Sequence, residues 1–172
     1  MSGLMQVVDP HPNANQLLHP FDPQTYYPAT SMFDQRCGTS GTGKYSNLKR
    51  YCPHGNFLCG RAKNPLFSRC MRAIDCAMNY EMSTVNHPNP LVVFMHQMIP
   101  HHINAVNMAR IALKHSMEAA GVEDDSELDV PALMRDIVNT QNLQIQEMRR
   151  WLAQHGPPAT FCRASDKKKV VG

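Results

Sequence analysis

The fold is decided by Phe94-Met95-His96-Gln97-Met98-Ile99-Pro100-His101-His102, which occupies positions 94–102. Met95, Met98, His101 and His102 recur at the spacing of one helical face, so the segment predicts an amphipathic helix whose stripe turns toward the core. The other members of the same predicted stripe are Leu91, Phe94, Ala105, Ala109 and Ala112.

Three helix starts are marked in the same way, by an Asn or Asp cap followed closely by proline. The predicted helices cover about 65–85, about 90–118, and the stretch from Asp129 to Gly156. Because short links join long amphipathic helices, the sequence predicts an all-α, antiparallel helical bundle. A fourth element would come from the N-terminal arm or from another subunit.

The first 64 residues differ in composition from the rest of the chain. They hold six of the thirteen prolines and six of the nine glycines, without helical periodicity. We therefore predict an irregular arm over 1–64, a helical bundle domain over 65–156 and a C-terminal tail over 157–172. The arm is expected to dock on the domain, on a partner or on a second copy.

Six cysteines form an even set that lacks the Cys-x2-Cys spacing of a zinc ribbon, so three disulfides are predicted. Two of them, Cys70 and Cys76, fall on different faces of one predicted helix and should have different partners. Other pairings stay open. Disulfides imply an oxidising compartment, so we expect a secreted or luminal protein whose signal was removed or lies in a longer precursor. The candidates are Cys37, Cys52, Cys59, Cys70, Cys76 and Cys162.

Charge and hydropathy exclude two classes of partner. The net charge is only +3, and the one basic run, at 167–169, lies in the tail, so no nucleic-acid binding is predicted. No run of apolar residues approaches the length that crosses a bilayer, so no transmembrane segment is predicted.

The stripe in 94–102 offers thioether and imidazole donors, which suit a soft ion such as Cu(I). Pro100 is expected to kink the helix and open a gap beside them. The alternative is structural, because methionine fills irregular cores and buried histidines need hydrogen-bond partners. Gln141 on the last predicted helix is the expected partner of His101 or His102.

The order and spacing of residues over about 67–152 resemble the signature of the domain-of-unknown-function 305 family. The residues that carry the resemblance are Met98, Pro100, His101, His102, Ala105, Met108, Ala109, Ile137, Gln141, Ile145, Met148, Trp151 and Leu152. The resemblance implies a ferritin-like four-helix bundle, and copper or silver binding through Met and His. The ligands it implies are Met78, Met82, Met95, Met98, His101, His102, Met108 and Met148. At some positions this chain departs from the family pattern. Where the family usually has an acidic residue, this chain has Asn89, Leu91, Val93 and Gln144, and where the family usually has a histidine it has Asn79.

Two functions remain open at this point. One is a non-enzymatic module that binds Cu(I) or Ag(I); the other is a structural or interaction module whose bundle is a scaffold and whose arm docks to partners. Enzyme classes find no support, because neither the Glu-x-x-His motif of a di-iron centre nor a Gly-x-Ser-x-Gly elbow occurs.

Overall fold

A computed structural model describes residues 31–55, 57–84, 86–118 and 129–156. Its helices confirm the predicted all-α class, and the three long ones lie where the caps predicted them. In these ranges the elements are α1 (Met32–Cys37), a 3-10 helix (Gly43–Ser46), α2 (Leu48–Tyr51), α3 (Pro65–Glu81), α4 (Pro90–Glu118) and α5 (Val130–His155).

The long helices begin because side chains satisfy the first free amides, as the sequence predicted. Asn64 Oδ1 accepts a hydrogen bond from the Phe67 amide at 3.0 Å, and Asp129 Oδ1 accepts one from the Ala132 amide at 2.8 Å. At the end of α5 the amide of Gly156 donates to Leu152 O at 2.9 Å. Helix α4 continues through Pro100 without interruption.

Helix α4 packs against α3 and also against α5. Its face toward α5 places Val106 and Ala109 in one core cluster with Ile145 and Met148. Its face toward α3 places Ile111 in a separate cluster with the first disulfide. In the part of the chain that the structure describes there is no fourth long helix to close a bundle.

Two disulfides attach the arm to α3. Cys37 is bonded to Cys70 and Cys52 to Cys76, so the two cysteines of α3 have different partners, as predicted. These bonds are compatible with an oxidising compartment. Contrary to the prediction of an irregular arm, its described part contains α1, the 3-10 helix and α2.

The third predicted disulfide is not formed among the described residues. Cys59 is free and exposed, while Cys162 lies outside the described ranges together with the rest of the predicted tail. An even number of cysteines suggests that all of them pair, but it carries no information on the distance between any two. The sequence therefore could not show that Cys59 would be free.

The arm is also held by a buried carboxylate. Asp34 is 1 % exposed, and each of its oxygens accepts three hydrogen bonds from backbone amides and hydroxyls of the arm. Burial raises the pKa of Asp34, but the hydrogen bonds from Ser31, Thr42 and Thr39 outweigh it and hold the pKa below its ordinary value. Asp34 is therefore ionised inside the fold and orders the loop around it.

The buried ring of Tyr45 joins the arm to the end of α3. Its hydroxyl donates to Glu81 Oε1 at 2.6 Å. Burial, together with the carboxylate of Glu81, raises the pKa of Tyr45 far above its ordinary value, so this phenol stays protonated as the donor.

None of the described helices combines the length and apolar character needed to cross a membrane.

Candidate metal site

His102 is buried, and both of its ring nitrogens have a hydrogen-bonding contact. Nδ1 lies 2.9 Å from the carbonyl oxygen of Met98, and Nε2 lies 2.9 Å from Oε1 of Gln144 on α5. A backbone carbonyl oxygen only accepts, whereas the side-chain amide of Gln144 can turn to present its NH2 group, so a neutral ring carries its proton on Nδ1 and its lone pair on Nε2. Histidines that bind metals commonly hold one N–H on a backbone carbonyl and coordinate through the other nitrogen. The ring of His102 is oriented in this way.

A cavity of about 470 Å³ lies beside His102, between α4 and α5. Met98 and Met95 line it from α4, at one and two turns before His102 respectively, and Met148 lines it from the facing helix. The remaining lining residues are Phe94, Gln144, Glu147 and Trp151. The structure thus brings three predicted methionine ligands and one predicted histidine to one cavity.

The donor set of this cavity is mainly soft. Three thioether sulfurs and one imidazole nitrogen match Cu(I) or Ag(I), whereas hard ions prefer several oxygen ligands. Glu147, which is exposed, also lines the cavity and is its one carboxylate. Among the described residues no group of three or more His, Cys, Asp or Glu side chains lies close enough to hold a metal.

The prediction that His101 shares the buried stripe with His102 is wrong. His101 is exposed and does not line the cavity, although the two ring centroids are only 5.9 Å apart. Consecutive residues on a helix project about 100° apart, and the predicted stripe was too wide for α5 to cover both. His101 therefore lies on a different face of α4.

Three further methionines from the family pattern do not line this cavity. Met78 and Met82 are at the end of α3, and Met82 O accepts a hydrogen bond from Gln97 on another face of α4. Met108 is 41 % exposed, with its sulfur 3.7 Å from Nδ2 of Asn104. The family resemblance predicted these three methionines as ligands, but it could not show toward which neighbouring helix each of their faces would turn.

Gln144, rather than the predicted Gln141, is the partner of His102. Gln141 is half-buried and does not line the cavity. One sequence signal pointed to Gln144, since the family usually has a polar Glu at that position. The amide of Gln144 can present its NH2 group to Nε2 by turning about its last bond.

A partly buried polar pair lies on the opposite side of α4. Nδ2 of Asn104 is 3.4 Å from Oδ1 of Asp75 on α3, and Oδ1 of Asn104 is buried without a hydrogen-bond partner. Burial raises the pKa of Asp75, partly offset by the hydrogen bond from Asn104. Neither residue lines the cavity of His102.

The family model described as Domain of unknown function (DUF305) matches residues 92–170. This range contains every residue that lines the cavity, and it leaves α3 and the arm outside. Neither a curated protein nor a solved structure matches the chain.

Proposed function

We propose that this chain, which over residues 92–170 belongs to the DUF305 family, is a non-enzymatic module that binds Cu(I) or Ag(I) between α4 and α5. Its ligands would be His102 through Nε2 and the thioethers of Met95, Met98 and Met148. The two disulfides support a secreted or luminal location for this activity.

The observation that carries the proposal is the orientation of His102 inside a cavity lined by methionines. Its Nδ1–H is held by Met98 O, so the imidazole is already fixed before any metal arrives. Binding would replace only one contact, that of Nε2 with Gln144. A ligand that is oriented in advance loses little conformational freedom on binding, which favours affinity.

The alternative function, a structural or interaction module, is supported by the same contact. Gln144 satisfies Nε2, so His102 could be a core histidine that joins α4 to α5 without any metal. The two functions differ in what removal of His102 changes: metal affinity in one case, and only stability in the other.

The test is a titration of the oxidised protein with Ag(I) and, with ascorbate present, with Cu(I). Trp151 is the only tryptophan and lines the cavity, so its fluorescence reports binding at this place. Cys59 and Cys162 are replaced by serine in all samples, so that no thiol competes for the metal. We expect one equivalent to change the fluorescence, and His102→Ala to weaken binding at least about 100-fold, beyond what loss of an outer-shell partner costs.

The matched control is His101→Ala, which removes the neighbouring exposed imidazole and should leave the affinity unchanged. Met148→Leu, which nearly conserves volume, should weaken binding while leaving the helical circular dichroism intact. Equal effects of His101→Ala and His102→Ala, or no binding by the parent protein, would contradict the proposal. A parent that binds no metal, with a His102→Ala variant that is merely less stable, would favour the scaffold.

A further inference from the structure

Helix α4 has a third face between the face that packs on α3 and the face that packs on α5, and Met98 at its edge also packs against the cluster shared with α5. Seven residues on it recur at alternating spacings of three and four, the repeat that packs helices side by side. They are Leu91, Phe94, Met98, His101, Ala105, Met108 and Ala112. Leu91 is 52 % exposed, Phe94 50 % and Met108 41 %. From Pro90 to Ala109 the helix carries no Asp, Glu, Lys or Arg, so this exposed face is uncharged.

Helix α5 extends the same surface. One side of α5 carries residues that are four or seven positions apart, which is one or two helical turns: Leu133, Ile137, Gln144 and Trp151. Leu133 is 44 % exposed. Gln144 and Trp151 line the same cavity as Phe94 and Met98, which places the two stripes on one side of the helix pair. We call this surface, made of the α4 stripe and these α5 residues, the open face.

The described arm and α3 do not cover the open face. They contact α4 through other residues: Ile111 packs with Cys70 and Ile74, and Asn104 contacts Asp75. A helix that matched the stripe from Leu91 to Ala112 would have to be about 32 Å long, which takes about 21 residues.

Residues 1–30 and 157–172, which lie outside the described ranges, do not contain a sequence that predicts a helix of this length. Residues 157–172 begin with two prolines, number fewer than 21 and include Arg163, Asp166 and three lysines. Residues 1–30 contain no proline-free run of ten, because prolines stand at positions 10, 12, 20, 23 and 28.

We propose that a second copy of this chain covers the open face. A two-fold axis that lies in the interface, parallel or perpendicular to the helices, places α4 and α5 of one copy against antiparallel helices of the other. The result is an antiparallel four-helix bundle built from two helix pairs. The face is about 32 Å long and about 20 Å wide, or about 600 Å² per copy, which puts the total near the lower end of stable interfaces. From Pro90 to Ala109 the absence of Asp, Glu, Lys and Arg fits a second, equally uncharged α4 better than a charged partner.

The test is sedimentation equilibrium of the oxidised full chain between about 1 and 200 µM, a range chosen for an interface of this size. The chain mass is 19.4 kDa, and we expect the measured mass to rise to twice that value. Leu133→Lys and Met108→Lys should each raise the dimer dissociation constant at least about 30-fold, because each places a charge in an apolar contact.

Leu143→Lys is the matched control, because Leu143 is 48 % exposed and stands two residues from Ile145, which packs on α4, so that it projects to nearly the opposite side of α5 and should leave the dimer unchanged. Circular dichroism checks that each variant is folded. Leu133 and Met108 are already partly exposed to water, so a lysine at either position should allow folding, and either variant can test the dimer. A parent that stays monomeric over the whole range would overturn the proposal, whatever else covers the face. Equal weakening by Leu133→Lys and Leu143→Lys would also overturn it.

Discussion

Replacing Cys37 and Cys70 together by alanine is expected to lower the free energy of unfolding by about 3 to 4 kcal/mol, the chain-entropy value for a loop of this length. The bond joins residues 33 apart in sequence, so it restricts the unfolded chain strongly. Both cysteines are fully buried in the cluster with Ile74 and Ile111, so their loss also removes packing between the arm and α4. Urea unfolding followed by circular dichroism measures the change.

Cys59→Ala provides the control for this variant, because Cys59 is free and exposed in the described structure and its loss should alter stability little. Limited proteolysis adds a second readout. Without the disulfide, cleavage near Gly38 and Gly41 should precede cleavage of any long helix. A double variant as stable as the parent, with an arm equally resistant, would show that the bond does not hold the arm in place.

Asp34→Asn is expected to destabilise the protein by about 3 kcal/mol or more at neutral pH, since several donors lose a charged acceptor at once. Oδ1 accepts from the Thr39 hydroxyl at 2.9 Å and from the amide and hydroxyl of Thr42 at 2.9 and 2.7 Å. Oδ2 accepts from the Ser31 hydroxyl at 2.7 Å and from the Gly43 amide at 3.1 Å. An asparagine would point an NH2 group at donors and leave them unpaired in a buried place.

The same carboxylate makes stability depend on pH. The pKa of Asp34 is lower in the folded protein than in the unfolded chain, so its contribution is fully present above the ordinary carboxyl pKa of about 3.9. It is lost as the pH falls through the lower, folded-state pKa. The difference between parent and Asp34→Asn should therefore shrink on acidification, while Asp136→Asn, at an exposed position of α5, should show little difference at any pH. A constant difference down to the acid limit would contradict this explanation.

The long helices were predictable because their start signals are local. Asn64 and Asp129 cap the helices that the sequence assigned to them, and the apolar spacing between the caps has the helical period. The short helices of the arm were not predictable in this way. They depend on distant partners, namely the cysteines of α3 and the buried Asp34, which organise a segment that has no apolar period of its own.

The candidate site was predictable in its residue types and only partly in its geometry. The helical spacing of the sequence predicted that Met95, Met98 and His102 share one face of α4, and the family resemblance implied Met148 of α5 as a further ligand. It could not show that α5 would cover His102 and leave His101 exposed, because that depends on the rotation of one helix against the other. Likewise the choice of Gln144 over Gln141 depends on the register between α4 and α5, which spacing within one helix does not determine.

Copper binding by the cavity beside His102 is tested most directly by X-ray absorption at the copper edge, on protein loaded with one equivalent of Cu(I). Cys59 and Cys162 are replaced by serine, so no thiolate contributes. We predict a metal surrounded by sulfur together with one imidazole, and loss of the imidazole signal in His102→Ala but not in His101→Ala. A spectrum without sulfur neighbours, or copper that does not remain with the protein after desalting, would contradict the assignment of this cavity as a soft-metal site.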